Sequence, residues 1–308
     1  MTDRKVFELA ISLFTFLNLS EKKKLCKNFS ELNELFNLNL KDLSFLIGRS
    51  LRVKNFTGDK LKIKLEKALR IMENYKINLT SVFDNDYPKS LNEIDEQPFA
   101  IFSRGEKINE QRRIAIVGTR EPTGKGMQFA FDMARELSEK NIVIVSGMAI
   151  GIDAFAHKGA VTANAKTIAV LPCGVENLYP MSNISLARKI VDRGGTILSE
   201  YPPETMPLKF RFLERNRIIS ALSEGTIIIE APKKSGALST AEHARTQGRP
   251  IFVFEEMLNS NRNEGGRNLN AHIVNSSDEI LEVLNNKCLH NKNKIIEKEL
   301  FSVEELNL

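Results

Sequence analysis

Two glycines and a lysine in IVGTREPTGKG (residues 116–126) have the residue types of a loop that binds nucleotide phosphates. Such a loop needs four residues between its glycines and a Ser or Thr after the lysine to bind magnesium. Here five residues separate the glycines, a third glycine follows Lys125, and Thr119 and Arg120 after Gly118 break the alternative G-x-G-x-x-G pattern. The spacing therefore predicts that Lys125 only starts a helix, whereas Arg120, at the strand end, meets an anionic ligand.

KFRFLERNR (residues 209–217) is the strongest basic cluster of the chain. Cations interleaved with aromatic rings suit single-stranded nucleic acid, because the cations follow the phosphates while a ring stacks on a base. Arg215 and Arg217 precede an apolar IIS sequence, which predicts that they lie at the start of a helix, where the dipole disfavours a cation unless an anion binds. Burial under a solvated helix face remains the alternative for Phe210. The candidate ligands in this segment are Lys209, Phe212, Arg215, Asn216 and Arg217.

Three further groups could do chemistry but lack the partners that a reaction needs. Asp153 and His157 are one helical turn apart without a third metal ligand at motif spacing, so we interpret them as a helix N-terminal carboxylate and a packed histidine. Ser146 lacks the G-x-S-x-G frame of a hydrolase nucleophile. Glu242, in SGALSTAEHA, could act on a sugar or could pair locally, and both alternatives stay open. We expect no catalytic residue, no metal and no cofactor.

Two kinds of element position these residues. Residues 1 to about 75 repeat Leu, Phe and Ile at helical intervals, which predicts a helical module over residues 1–80. From residue 112 short apolar runs alternate with helical segments, which is typical of a parallel sheet with helices on both faces. The predicted fold class is α/β, with a doubly wound, mostly parallel sheet over residues 81–285 and a short charged tail over residues 286–308.

Loops after the predicted strands supply the rest of the candidate site. Ligands of such sheets bind outside the carboxyl ends of the strands, where loops converge and helix N-termini present N–H groups. Each glycine-bearing loop alone is explained as well by a tight turn, but together they offer space and donors for a phosphate-bearing ligand. The loop residues of the candidate site are Gly118, Thr119, Arg120, Ser146, Gly147, Ser235, Gly236, Ser239 and Thr240.

Composition limits the possible classes of protein. The 308 residues, 42% of them hydrophobic, can bury a sizeable core, and the net charge of +5 permits a polyanionic partner without requiring one. Three widely spaced cysteines favour neither a zinc site nor a disulfide framework and fit the reducing cytoplasm. No apolar run approaches the roughly 20 residues of a membrane-spanning helix, so we expect no membrane insertion.

The order of the motifs resembles one known family, the DprA/Smf DNA-processing proteins of natural transformation and competence. The motifs that carry the resemblance are IVGTR, VSGMAIGIDAFAH, TIAVLPCGVENLYP, GGTILSEYPP, FLERNRIISALSEGTIIIEA and SGALSTAEHARTQGRPIFVF. They cover about residues 80–280, and RNRIIS and SGALSTA are the most specific among them. The N-terminal module is similar to the family's helical extension, which is SAM- or helix-hairpin-like.

The resemblance implies an extended Rossmann-like fold that binds single-stranded DNA without hydrolysing nucleotide, protects it and helps to load a RecA-type recombinase. It also implies a homodimer and no enzymatic activity. The family's strand-end group falls on Gly118, Thr119 and Arg120, with Thr119 where Ser is usual, its basic-aromatic segment on Lys209, Phe212, Arg215, Asn216 and Arg217, and its later loop on Ser235, Gly236, Ser239 and Thr240.

Two departures and one alternative accompany the resemblance. Glu255 and Glu256 stand where the family usually has a Pro-Gly pair, and the residues after 285 are too few for the winged helix of many members. The alternative function is nucleotide processing, because residues 239–242, ending in Glu242, loosely resemble the glycine-threonine-glutamate loop of LOG-type phosphoribohydrolases. That function would need a working glutamate.

Overall fold

The computed structural model describes residues 1–53, 56–108 and 110–287. The helices are α1 (Asp3–Ser12), α2 (Leu19–Asn28), α3 (Leu32–Phe36), α4 (Leu40–Ile47), α5 (Gly58–Tyr75), α6 (Gly124–Glu139), α7 (Ile152–Thr162), α8 (Ile184–Asp192), α9 (Lys209–Ala221), α10 (Ala237–Thr246), α11 (Glu255–Leu258) and α12 (Glu264–Arg267). The strands are β1 (Asn78–Ser81), β2 (Ala100–Gly105), β3 (Arg113–Gly118), β4 (Val143–Ser146), β5 (Thr167–Val170), β6 (Thr196–Ser199), β7 (Gly225–Ile229), β8 (Ile251–Phe254) and β9 (His272–Val274). Short 3-10 helices cover Lys89–Leu91 and Met181–Asn183, and residues 277–287 are helical.

The N-terminal helices confirm the predicted helical module. Side chains of Thr2, Asn18, Asn39 and Thr57 accept hydrogen bonds from backbone N–H groups in the first turns of α1, α2, α4 and α5, which fixes where these helices begin. Their apolar faces share one core with residues of β2, α8 and the strands beside them. The division of the chain at residue 80 stays a prediction, and residues 288–308 of the predicted tail lie outside the described residues.

The nine strands form one mostly parallel sheet, which confirms the predicted fold class. Their order is β1-β2-β6-β5-β4-β3-β7-β8-β9. The strands from β6 to β9 in this order pair in parallel, whereas β2 pairs antiparallel with β6, and β1 antiparallel with β2. The sheet is therefore a doubly wound core with an antiparallel extension next to the helical module.

Helices cover both faces of this sheet because successive strand residues point to opposite sides. Along β3, Ile114 and Ile116 pack in the cluster that contains α6 and α7, whereas Ala115 and Val117 pack in the cluster that contains α9 and α10. All four side chains are buried. Both faces of the central strand are thus covered by helices, and only its carboxyl end is available to a ligand.

The strand order places one topological switch point in the sheet. From β3 the chain continues through β4, β5 and β6 on one side, and it returns to β7, β8 and β9 on the other. The neighbours β3 and β7 are therefore followed by loops that leave in different directions. The crevice between such loops is where open α/β sheets bind ligands.

The helix that carries the basic cluster starts earlier than predicted. It begins at Lys209 and not at Arg215, because Leu208 before it is extended (φ −108°, ψ 149°) and forms the N-cap. The cation at the helix N-terminus is consequently Lys209, and both arginines lie in the middle of the helix, where their own contacts decide their roles. Within the described ranges, no helix is long and apolar enough to cross a membrane.

Candidate nucleic-acid interface

A cleft of about 730 Å³ lies at the carboxyl ends of β3 and β7. Its walls are the loops after these strands, the first half of α9, the start of α10 and Tyr179 from the loop after β5. The predicted site residues that line this cleft are Gly118, Thr119, Arg120, Lys209, Phe212, Arg215, Asn216, Ser235, Gly236 and Thr240. The fold therefore brings together ten residues from three separate sequence segments.

Gly118 and Thr119 form the corner where β3 meets the cleft. A Cβ atom on Gly118 would lie 1.9 Å from the carbonyl oxygen of Ile229, so no other residue fits beside β7 at this position. The Thr119 N–H donates to the carbonyl of Glu230 (2.8 Å), and the Thr119 carbonyl accepts from the N–H of Ile152 (3.2 Å). These bonds fix the chain direction just before Arg120, which extends into solvent at the cleft.

Arg120 and two aromatic rings form a basic-aromatic group in the cleft. The guanidinium of Arg120 lies 5.0 Å from the centroid of the Phe212 ring, a distance at which cation and ring attract each other. Tyr179 meets the same ring edge-on, with centroids 5.6 Å apart and planes at 76°. Phe212 is half-buried and Tyr179 is exposed. No carboxylate among the described residues forms a salt bridge with Arg120, so its charge is free for an anion.

Arg215 forms the floor of the cleft without a salt-bridge partner among the described residues. It is 3% exposed, and its guanidinium donates to the carbonyls of Gly147 (2.8 Å) and Val170. Burial lowers the pKa of Arg215 to about 10, an effect that the negative charge of Asp153 opposes. It is therefore still a cation at neutral pH, held in place by backbone carbonyls.

Asn216 connects the floor to the loop after β7. Its side-chain amide donates to the carbonyl of Gly236 (3.1 Å) and accepts from Arg215 Nε (3.2 Å). In the same loop, the Ser235 hydroxyl accepts from the N–H of Ala237 (3.2 Å), the first residue of α10. Thr240, one turn further, is buried but lines the cleft. The loop is thus fixed on the side of α9 that carries Phe212.

Four predicted site residues do not line the cleft. Ser146 is fully buried and its hydroxyl donates to the carbonyl of Ile116 (2.6 Å). The backbone of Gly147 is bonded to Arg215 and to Asp153, so Gly147 supports the floor from below. Arg217 forms two short hydrogen bonds with the Glu200 carboxylate, of 2.7 and 2.6 Å. Ser239 is half-exposed on α10.

A carboxylate of the protein itself closes the N-terminus of α6. Glu230, fully buried, accepts hydrogen bonds from the N–H (2.8 Å) and the hydroxyl (2.6 Å) of Thr123, the N-cap of α6. In a phosphate-binding loop the nucleotide phosphate would take this place. Lys125 starts the helix as predicted and pairs with Glu256 at 2.9 Å. In the segment 116–126, a carboxylate of the protein therefore takes the position that a nucleotide phosphate would have.

The three groups with possible catalytic chemistry have structural partners. Asp153 lies in the first turn of α7 and accepts from the N–H groups of Gly147 (3.1 Å) and Ala149 (3.4 Å). His157 is fully buried against the Thr167 hydroxyl (2.8 Å). Glu242 is exposed on α10 and pairs with Arg245, which lowers the pKa of its carboxyl group. The local-pairing alternative for Glu242 is thus the one observed.

Tyr179 and Lys234 are among the cleft residues that the sequence analysis does not select. Tyr179 lies in the long loop after β5, and Lys234 lies in the loop after β7. For Tyr179 the aromatic type beside a proline was the available signal. For Lys234 the available signal was its position between the end of β7 and the start of α10.

Comparisons with known proteins identify the family. A family model described as DNA recombination-mediator protein A matches residues 78–285. DNA processing protein DprA of Bacillus subtilis is 40% identical over 197 residues, which are 63% of this chain and 66% of that protein. Protein Smf of Escherichia coli is 34% identical over 71% of this chain and 60% of its own length. The chain thus spans less than two thirds of the length of these two relatives.

Solved structures agree with the sequence matches. DNA processing protein A of Streptococcus pneumoniae covers 92% of this chain and 98% of its own, with a TM-score of 0.69 and 31% identity. The same protein of Helicobacter pylori, described for its single-stranded DNA binding mode, covers 69% of this chain and 97% of its own, with a TM-score of 0.62 and 32% identity. The strand-end group, the basic-aromatic helix and the loop after β7 all fall within the matched region, and the chain belongs to the DprA/Smf family.

Proposed function

We propose that this protein acts in DNA processing and recombination by binding single-stranded DNA in the cleft between β3 and β7. The observation that carries the proposal is the pairing of the unneutralised Arg120 with the ring of Phe212 at 5.0 Å. Arg120 can bind a phosphate and Phe212 can stack on a base, and the two side chains are close enough to contact the same nucleotide. Lys209 at the N-terminus of α9 and Arg215 on the floor extend the positive charge through the cleft.

The geometry favours a single strand over a duplex. Phe212 is half-buried below the rim of the cleft and lies between Arg120 and Tyr179. A base can reach this ring only when it is unstacked from its neighbours and unpaired, and this costs least in a single strand. We therefore expect the cleft to bind single strands more tightly than duplex DNA of the same sequence.

Fluorescence anisotropy with labelled oligonucleotides tests the proposal. Wild type should bind a single strand more tightly than the duplex, and its affinity should fall as salt increases, with a slope of about −0.7 for each phosphate contact. Arg120→Ala should weaken binding and reduce the slope by about one contact. Equal affinity for duplex, or no loss in Arg120→Ala, would contradict the proposed site.

Family membership supports a wider role. We propose that the protein protects incoming single-stranded DNA during natural transformation in the cytoplasm, helps to load a RecA-type recombinase and works as a homodimer. Sedimentation of the purified chain checks the dimer. Strand exchange by a RecA-type protein, with and without this chain on coated single strands, checks the loading.

A further inference from the structure

A second basic-aromatic site lies on the N-terminal helical module. A cavity of about 170 Å³ is bordered by Phe14, Phe16 and Phe56, and by Lys60 and Lys64 of α5. The three rings form a cluster with centroids 5.5 to 6.1 Å apart. Phe16 and Phe56 are half-buried, so their rings remain accessible from the cavity. A volume of this size takes one planar ring system and not a whole nucleotide.

The two lysines beside this cavity have no carboxylate partner among the described residues. Lys60 and Lys64 are exposed and one helical turn apart on α5, so their ammonium groups lie on the same face. An aromatic pocket next to two free cations has the chemistry of a base-and-phosphate contact. It is the same pairing of groups that Arg120 and Phe212 provide in the cleft.

The excess of positive charge lies in the N-terminal segment that contains this cavity and not in the rest of the chain. Residues 1–80 contain 16 Lys or Arg against nine Asp or Glu, whereas residues 81–308 contain 28 against 30. The excess of positive charge therefore comes entirely from the helical module. A polyanion near the protein is attracted first to that module, because long-range attraction follows the summed charge.

Helix α5 contacts the loop that leads to the cleft. Lys67 continues the row of Lys60 and Lys64 along α5, about 10 Å from Lys60 at 1.5 Å per residue. Its Nζ lies 4.0 Å from Oε1 of Glu204. Glu204 belongs to the loop before α9, and Pro207, three residues later and at most about 11 Å further, already lines the cleft.

We infer that the cavity of Phe14, Phe16 and Phe56 is a second contact site for the same DNA strand, with one base against the rings and flanking phosphates on Lys60 and Lys64. The inference rests on the proposed binding of single-stranded DNA in the cleft. A short oligonucleotide fills the cleft alone, whereas a longer one continues past Glu204 and occupies both sites.

The length of the oligonucleotide separates the two sites in an experiment. Wild type and variants are titrated by anisotropy with labelled oligothymidylate of about 6 and about 20 nucleotides. The variant K60E/K64E should bind the long strand about tenfold more weakly and the short strand within about twofold of wild type, with a salt slope reduced by about 1.4 for the long strand only. The matched control is K23E/K27E, two exposed lysines one turn apart on α2 with the same charge change.

A second variant tests the rings. F16L/F56L should weaken only the long strand, by at least about fivefold, because stacking on a ring is lost while the charge is kept. Thermal unfolding shows whether the two substitutions of half-buried rings destabilise the protein. If they do, the variant K60E/K64E, which changes only exposed side chains, still tests the second site. Equal losses in K60E/K64E and K23E/K27E, or equal losses for both strands, would overturn the second site. Failure of wild type to bind either strand would instead remove the proposed function.

Discussion

The two sides of α9 use arginine in opposite ways. On the cleft side, Arg215 is buried against backbone carbonyls and lines the cleft. On the other side, two residues further, Arg217 is buried against the Glu200 carboxylate, with the carbonyls of Glu96 and Glu214 as further acceptors. Of the two, only Arg215 lines the cleft, and it does so without a salt-bridge partner among the described residues. Two arginines of one short motif therefore differ in their contacts: one lines the cleft on backbone carbonyls, and the other is neutralised by a carboxylate.

The largest effect should come from breaking the supporting side. Arg217→Ala leaves the carboxylate of Glu200, which is 16% exposed, without its partner, and this should lower the free energy of unfolding by roughly 3–5 kcal/mol. Denaturant unfolding measures the loss. Arg217→Met combined with Glu200→Leu should recover most of it, since no unpaired buried charge remains. Unchanged stability with lost DNA affinity would place Arg217 among the ligands instead.

Substitutions in the cleft should change the affinity for DNA and not the free energy of unfolding. Phe212→Leu should weaken binding of single strands by about 1–3 kcal/mol, because a leucine cannot stack on a base. The salt slope should stay unchanged, whereas Arg120→Ala should change it. Anisotropy over a range of salt concentrations separates the two variants. A changed slope in Phe212→Leu would mean that the ring acts by placing Arg120 and not by stacking.

Acid pH should lower the stability of the fold through His157, which is buried on α7. Burial, together with the nearby charge of Arg215, lowers the pKa of His157 to about 3, whereas an exposed histidine titrates near 6.5. The unfolded chain therefore binds the extra proton, so the stability from the neutral ring is complete above about pH 6.5 and falls below it, by up to about 1.4 kcal/mol per pH unit.

Thermal unfolding between pH 7 and pH 5 measures this loss. The variant His157→Gln should depend less on pH than wild type, because it lacks the group that titrates. Parallel curves for the two proteins would show that His157 stays neutral in the unfolded state or is charged in the folded one.

The smallest effect belongs to an arginine-carboxylate pair that is exposed. Glu242 and Arg245 form hydrogen bonds on the surface of α10, with side chains 57% and 62% exposed, so Glu242→Gln should leave the stability of the fold unchanged because water screens the pair. DNA affinity should stay within about twofold, since a single solvated charge is screened. The same variant checks the LOG-like alternative, because release of base from nucleoside monophosphates that disappears in Glu242→Gln would make this glutamate catalytic.

The sequence predicted what depends on local pattern and strand-end position. Alternating apolar runs and helices predicted the parallel sheet, and the rule for ligand sites predicted that the segments around Arg120, Phe212 and Gly236 meet. Antiparallel pairing of β1 and β2 was not predicted, because the direction of a strand in a sheet is set by its neighbours. The orientation of Ser146 into the core was missed for a related reason, since the side to which a strand-end residue points depends on where the strand stops.

Contacts between distant residues account for the other differences. Arg217 was predicted as a phosphate ligand from its motif, but its partner Glu200 lies in a different loop and only the fold brings them together. Likewise the helix starts at Lys209 because Leu208 is extended, and the basic residues of the segment give no signal for that conformation. Composition shows that charge is present, whereas partner and burial show whether it is available.

The carboxylate of Glu230 at the N-terminus of α6 has one further consequence. A group tethered to its binding site competes at an effective concentration that free nucleotides do not match. The Glu230 carboxylate, bonded to Thr123 at 2.6 and 2.8 Å, therefore blocks this helix end to free anions. ATP in the surrounding solution, however abundant, should therefore not bind at this helix end.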